Sequence, residues 1–295
     1  MDINYELYKV FYHVAKSLSF SEAADQLFIS QSAVSQSIKT LEKRLNQILF
    51  IRSTKKVSLT KEGEILLKHV EPAINLIVKG ERQLCGDPQS GTQLRIAASD
   101  TICRYYLVPY LEMFHNEFPN IHIKVKNGTS VECGKMLERN EVDVIVTNSP
   151  NKALNNLMHL VPVLEFQDVF ISKKEQFPLH NREVSLEELL NHPILMLEGH
   201  ATTSIFLHNL FQEYSLELVP EIELSSNDLL IDIAKIGLGI AFVPDFCIKE
   251  SDELVTIRTK EEIPARKLVL AYNRDIPISE SGQYFIDILT KKNQA

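Results

Sequence analysis

A chain of 295 residues with 44% hydrophobic and 24% charged residues has the ordinary composition of a soluble globular protein and room for two or three domains. No run of about 18 apolar residues occurs, which excludes a membrane-spanning helix, and the opening MDINYELYK has no basic-then-apolar leader, so a cytoplasmic protein is expected. The four cysteines, Cys85, Cys103, Cys133 and Cys247, form no CxxC pair, which fits reduced thiols. The net charge of −8 is unevenly spread: residues 1–60 hold eight Lys and Arg against five Asp and Glu, so the remainder carries more than the whole deficit. A basic head on an acidic body points to a polyanion met by the head alone.

The first apolar stripe is helical: Ile3, Leu7, Val10, Phe11, Val14, Ala15 and Leu18. Ser19 with Glu22 three residues on has the pattern of a capping box that opens a second helix, running to about Phe28. Ile29 and Ser30 make a turn, and Ser30 can cap a third helix to about Arg44, with Ala33, Val34, Ile38, Leu41 and Leu45 as its apolar face. Two short strands follow, Ile48–Arg52 and Val57–Leu59, around a turn at 53–56. Thr60 can cap a long helix from Lys61 to about Leu84. Its stripe, Ile65, Leu66, Val70, Ile74, Ile77, Val78 and Leu84, is longer than one small domain covers, and Pro72 inside it predicts a kink or break. The Gly, Pro and Ser of CGDPQSGTQ mark a linker.

Beyond the linker the period changes. QLRIAAS, IHIKVKNG and VDVIVTNS read as strands separated by helices, and a second series runs through DVFISKK, PILMLEG, EIELSS and GIAFVP before RKLVLAYNR and a helix over 279–291 close the chain. Strands alternating with helices predict parallel α/β sheets. The chain is expected to leave one lobe and return to finish it, through crossover strands near Leu160–Phe166 and Ile263–Val269.

The third helix answers why an exposed segment should carry so many Ser and Gln residues. Two helices joined by a tight turn make a helix-turn-helix. Its outer face would present Gln31, Ser32, Ser35, Gln36 and Lys39 behind the capping Ser30. Gln bonds bidentately to adenine edges, and small residues let a helix lie deep in a groove. Arg52, Lys55 and Lys56 on the following hairpin suit phosphate contacts. The plainer reading is a solvated helix in a helical bundle, although solvated helices favour Glu and Lys over Ser and Gln.

The pieces AADQLFISQSAVSQSIKTLE, LFIR and LTKEG stand in that order, and the segment from Phe20 to Glu64 resembles the N-terminal domain of LysR-type transcriptional regulators. Length and the α/β remainder are similar to that family over the full chain. The resemblance implies a winged helix-turn-helix over 1–60 and a dimerising linker helix and hinge over 61–90. It implies a two-lobed effector domain like periplasmic binding proteins, with lobe I at 91–162 plus 267–295 and lobe II at 163–266. Its implied partners are operator double-stranded DNA, a small-molecule effector, a second or a fourth copy of the chain, and RNA polymerase. No cofactor, metal or membrane is implied.

In open parallel sheets, ligands sit at the carboxyl ends of strands. Four such ends carry small hydroxyl or amide residues here: Ser99, Asp100 and Thr101; Thr129 and Ser130; Thr147 and Asn148; Thr202 and Thr203. Asn227 opens another helix. Each alone is an ordinary helix cap; together they suggest a pocket for a small polar or anionic molecule, with Asp100 opposing an anion unless it points away or pairs with Arg104. GLGIAFVP leads from helix into strand, the reverse of a dinucleotide fingerprint. The histidines have no metal spacing, His200 reads as an exposed loop residue, and Cys103 beside the site reads as a buried inert thiol. Two other functions compete with a regulator. An enzyme or transport-type binding protein lacks a legible nucleophile, metal cluster or export signal, so no enzyme is expected. A DNA-bound factor with a vestigial effector lobe stays open.

Overall fold

A computed structural model describes residues 3–52, 56–84, 93–249 and 253–291. They form two compact units, residues 1–90 with 139–141, and the rest of the chain.

In the first unit, α1 (Tyr5–Ser17) starts where Asn4 accepts the Glu6 amide. α2 (Phe20–Leu27) starts where Ser19 Oγ accepts the Glu22 amide at 3.3 Å. The reciprocal arm of the expected capping box is replaced: the Ser19 amide donates to Ser17 Oγ, and Glu22 accepts from Gln26. α3 (Gln31–Leu45) is capped by Ser30 Oγ on the Ala33 amide at 3.2 Å. The three helices end on left-handed residues, Leu18, Phe28 and Asn46, which lets short turns fold them onto one core of Phe11, Val14, Ala23, Val34, Ile38 and Leu41. Ala33, expected on the inner face, is exposed; Val34, a helical step of about 100° on, takes the inward position.

β1 (Phe50–Arg52) and β2 (Val57–Leu59) pair antiparallel. Glu42 of α3 accepts the Leu49 and Phe50 amides, which fixes the hairpin to that helix. Thr60 Oγ1 accepts the Gly63 amide and opens α4 (Lys61–Leu84). A Cβ at Gly63 would stand 2.2 Å from the Leu49 carbonyl oxygen, so the helix can approach β1 only through glycine. Of the kink or break expected at Pro72, no break forms: the helix is continuous through it, one missing N–H removing one rung of the ladder. The apolar stripe divides. Leu66, Val70, Ile74 and Val78 pack into the helical head, while Ile65, Leu76, Ile77 and Leu84 stay exposed. The stripe was expected to be longer than one small domain covers, and the head covers only part of it.

The second unit opens with β3 (Gln93–Ala98). A helical stretch follows, α5 (Asp100–Ile102), a π turn at Cys103–Leu107 and α6 (Val108–Glu117). Then come β4 (His122–Asn127), α7 (Ser130–Glu138), β5 (Val144–Ser149) and β6 (Met158–Phe166). At Gln167 the chain passes into a second sheet, with β7 (Asp168–Lys173), β8 (Glu183–Val184), α8 (Leu186–Leu189), β9 (Ile194–Leu197), α9 (Thr202–Glu213), β10 (Ile222–Leu224), α10 (Asn227–Lys235), β11 (Ile240–Pro244) and β12 (Leu254–Thr259). β13 (Arg266–Asn273) and α11 (Glu280–Lys291) return to the first.

The strand orders are β4-β3-β5-β13-β6 and β10-β9-β11-β7-β12-β8. Both sheets are mixed rather than parallel, because the strands flanking the two crossings run against their neighbours: β13 against β5 and β6, β7 against β11 and β12. Phe114 and Phe285 anchor the core of one lobe, and Phe170, Phe211 and Phe242 that of the other. Gln167 ties the crossing together. Its amide donates to the Asp245 carboxylate, its carbonyl accepts the Asp245 amide, and its side chain donates to the Ile263 carbonyl at 2.7 Å. Among the described residues no helix is long and apolar enough to cross a membrane.

Candidate functional site

On the first unit, the face read for DNA is present as a surface. Gln31, Ser32, Gln36 and Lys39 are exposed along α3, and Ser30 at its start is exposed too. Ser35 is half-buried and accepts from Arg52 Nη1 at 3.1 Å. Arg52 also faces Glu42 at 3.8 Å and stacks over the Phe20 ring at 4.4 Å. It therefore fixes the hairpin to α2 and α3, with part of its guanidinium left to solvent. Lys56 is exposed, and Lys55 lies outside the described residues. Glu42 was not singled out from sequence; its amide acceptance from the hairpin needs a contact that no local pattern encodes.

On the second unit, a cleft of about 380 Å³ lies between the lobes. From the first lobe, Ser99, Asp100 and Thr101 line it at the end of β3, Thr129 and Ser130 at the end of β4, and Asn148 near the end of β5. From the second lobe come Thr202, Thr203 and Asn227. Thr147 does not line it. It is fully buried, donates to the Ser130 carbonyl at 3.3 Å and accepts from Asn151 at 3.0 Å, so it is a packing residue.

Two hydrogen bonds cross the cleft between residues singled out in the sequence. Asn148 Nδ2 donates to Thr202 Oγ1 at 3.0 Å, and Asn227 Nδ2 donates to Thr101 Oγ1 at 3.0 Å. The lobes also meet where Tyr105 Oη donates to Asp228 at 2.7 Å, and Arg104 Nε stands 3.3 Å from the same carboxylate. Arg104 thus pairs with Asp228, and Asp100 is exposed in the cleft. Thr203 Oγ1 accepts from Arg266 Nη1 at 3.1 Å, and that guanidinium, almost fully buried, also holds Asp168 at 2.6 Å.

Sequence reasoning missed Glu132, Ser225, Ser226, Phe246 and Arg266. Glu132 had a signal. The T-x-x-E of Thr129–Glu132 is a capping box, and here both arms form: Thr129 Oγ1 accepts the Glu132 amide at 3.2 Å, and Glu132 Oε2 accepts the Thr129 amide at 2.7 Å. That amide holds the Glu132 carboxyl below its ordinary value. Phe246 lines the cleft and Arg266 holds Thr203 from behind it, and tertiary folding alone brings both there.

Cys103 faces Asn127 Oδ1 at 3.6 Å, and burial pushes its thiol up to about 11. Burial pushes Cys133 to about 12 and raises Cys247 also. All three are protonated at neutral pH and suit packing rather than nucleophilic or redox chemistry. Cys85 lies outside the described residues. Among the described residues no three His, Cys, Asp or Glu side chains gather closely enough to hold a metal ion.

Two family descriptions match the chain. Residues 5–64 match the bacterial regulatory helix-turn-helix protein, lysR family, and residues 88–294 match the LysR substrate binding domain. The transcriptional activator CmpR of Synechocystis is 26% identical over 98% of this chain and 95% of its own. A probable RuBisCO transcriptional regulator of Phaeodactylum tricornutum is 30% identical over 95% of this chain and 94% of its own. The crystal structure of full-length CbnR complexed with its target DNA shares the fold, with a TM-score of 0.64 at 16% identity over 99% of this chain and 100% of that one.

Proposed function

The chain belongs to the LysR family of bacterial transcriptional regulators, DNA-binding proteins with an effector-binding domain, and we propose how its own residues divide that work. Residues 1–60 are the DNA head. Gln31, Ser32, Ser35 and Gln36 read base edges in a major groove, and Lys39, Arg52, Lys55 and Lys56 meet phosphates beside it. Residues 61–90 join two heads through the exposed edge of α4, and the α/β lobes bring dimers into a tetramer. Membership of the family supports both assemblies and a contact with RNA polymerase in the cytoplasm.

The cleft takes a small effector, and one observation carries this reading. Polar side chains of both lobes converge there and bond across it, Asn148 to Thr202 and Asn227 to Thr101. A molecule that replaces those bonds touches both lobes and shifts their angle by the difference in its fit to the two states. A shift in lobe angle then changes the spacing of the DNA heads. The test is a gel shift of operator DNA by the full-length protein with and without candidate effectors, beside thermal melts. A ligand that raises the melting temperature and alters operator binding agrees with the reading. A protein whose melt and operator affinity no small molecule changes has a vestigial effector lobe.

A further inference from the structure

We propose that Arg266 is a positioning residue that ties the wall of the cleft to the crossing between the lobes. It holds Thr203 on the cleft side and Asp168 on the crossing side, so a molecule that draws on Thr203 moves the strands that set the lobe angle. The inference rests on the effector reading above and deepens it, by naming the part of the chain through which the cleft acts.

Three elements meet at one guanidinium. Thr203 stands in the first turn of α9 and lines the cleft while only 4% exposed. Asp168 opens β7, by which the chain enters the second lobe, and Arg266 opens β13, by which it leaves. Arg266 Nη1 donates to Thr203 Oγ1 at 3.1 Å and to Asp168 Oδ2 at 2.6 Å. One nitrogen therefore serves the cleft wall and both crossing strands. The backbone of Arg266 also stands opposite Phe166, the last residue of β6 before the chain changes sheets at Gln167.

The guanidinium is flanked by one ring from each lobe, Phe166 at 5.4 Å and Phe206 of α9 at 4.9 Å. A planar cation seated between two rings moves with them as a plate. A displacement of the first turn of α9 thus reaches β6, β7 and β13 together. The contacts differ in kind from the ties across the cleft. Asn148–Thr202 and Asn227–Thr101 are neutral, and a ligand can replace them directly. The Arg266–Asp168 pair is sealed from solvent and charge-assisted, so a ligand reaches it through Thr203.

Two features let this junction change state. Thr203 accepts from Arg266 and so keeps its own hydroxyl hydrogen to donate, and a threonine in a helix has two favoured side-chain rotamers. The ion pair is also unfinished, since Asp168 Oδ1 and Arg266 Nε have no partner. A two-pronged grip of the guanidinium on the carboxylate would use both atoms, and it is the geometry these groups favour. Thr203 is what the guanidinium holds in its place. A packed junction with two arrangements converts a small shift at the cleft wall into a step of the strands behind it.

The test uses full-length protein without effector, so that its failure leaves the effector reading standing. Hydrogen exchange is followed by mass spectrometry, beside gel shifts on a duplex that the wild-type chain selects from a random-sequence library. Thr203→Val keeps the shape of the cleft wall and removes the acceptor. Exchange over 160–170 and 262–272 should rise about threefold or more, the factor that loss of one hydrogen bond brings, while β9 and β11 stay as protected as in the wild type. Affinity for the selected duplex should change by about threefold or more, and Thr203→Ser should restore both readouts. Arg266→Lys keeps the charge and cannot span both partners, so Thr203→Val should add nothing further in that background. Faster exchange confined to α9, or spread over the whole second lobe, would overturn the inference. So would an unchanged duplex affinity, a failure of Thr203→Ser to restore the wild-type pattern, or a full additional effect of Thr203→Val on top of Arg266→Lys.

Discussion

Asn148 Nδ2 lies 3.0 Å from Thr202 Oγ1, and that bond joins β5 of one lobe to the first turn of α9 in the other. Thr202 is therefore an inter-lobe tie as well as a lining residue. Thr202→Val keeps the shape, removes the acceptor and leaves Asn148 with Ser130 alone. A net neutral hydrogen bond contributes about 0.5–1.5 kcal/mol. Thr202→Val should lose about 1 kcal/mol in urea denaturation, and Thr202→Ser should restore it. Equal stability of the valine variant and the wild type would mean that the tie contributes nothing.

Glu132 makes a pH-dependent contribution of defined sign. The Thr129 amide at 2.7 Å lowers its carboxyl pKa in the folded chain. Its contribution is present above the unfolded glutamate value of about 4.3 and is lost as pH falls through the lower folded value. Glu132→Gln retains a cap without charge. The difference in melting temperature between wild type and Glu132→Gln should therefore narrow between pH 7 and pH 3. A difference that stays constant over this range contradicts the assignment.

The cleft was legible because strand ends and helix caps are local patterns. Ser99, Thr129 and Asn227 could be placed from the hydroxyl and amide residues that follow apolar runs. Thr147 was misplaced by one alternation: β5 continues to Ser149, so Thr147 still points inward while Asn148 reaches the cleft. Sheet direction was not legible, since the antiparallel placement of β13 and β7 depends on where the chain crosses between sheets. β8 and β12 were missed; β8 has two residues, and β12 shows no strong apolar alternation. The Arg266–Asp168 pair joins residues 98 apart in sequence, and no local pattern announces it. On the DNA head the caps Ser30 and Thr60 were legible, while the exposed half of α4 required knowing what the head covers.

The base reading and phosphate contact proposed for α3 should separate by salt. Gln31 is exposed at the start of α3, and Gln31→Ala should cost about 1–3 kcal/mol of operator affinity and relax base preference at one position. Lys39→Ala should weaken all sequences alike and reduce the slope of log affinity against log salt by about 0.9. Gel shifts at several salt concentrations, on operator and scrambled DNA, check both. An unchanged operator affinity for Gln31→Ala would exclude this face.

The two sides of α4 predict opposite outcomes for one substitution. Ile77 is 39% exposed and Ile74 is 6% exposed. Ile77→Asp should keep the melting temperature of the head and dissociate the dimer. Ile74→Asp buries an unpaired charge in the head and should unfold it. Analytical sedimentation at micromolar concentration, read beside the melts, separates them. A wild-type protein that sediments as a monomer, or an Ile77→Asp variant that sediments like the wild type, excludes dimerisation through this edge.

Arg266 and Asp168 clip together the two strands by which the chain enters and leaves the second lobe, since Asp168 begins β7 and Arg266 begins β13. The Arg266 side chain is 2% exposed and that of Asp168 0%, at 2.6 Å separation. The guanidinium lies between the Phe166 and Phe206 rings at 5.4 and 4.9 Å and also donates to Thr203. The pair is imperfectly satisfied, because Asp168 Oδ1 and Arg266 Nε have no partner. Burial drives the Asp168 carboxyl upward, and the guanidinium opposes that rise. Arg266→Met removes the opposition and leaves a buried carboxylate, at a cost of about 3–5 kcal/mol. The carboxyl can escape only by binding a proton, which the unfolded chain does near its ordinary value of about 3.9. The folded variant then binds more protons than the unfolded chain, so its stability should fall as pH rises. Urea denaturation should show a smaller deficit at pH 5 than at pH 8. Adding Asp168→Leu removes the orphaned charge and should recover at least half of the loss, because apolar replacement of a buried pair is often neutral or better. A deficit below about 1 kcal/mol for Arg266→Met at pH 8, or one that does not change with pH, would show that the clip does not hold the crossing.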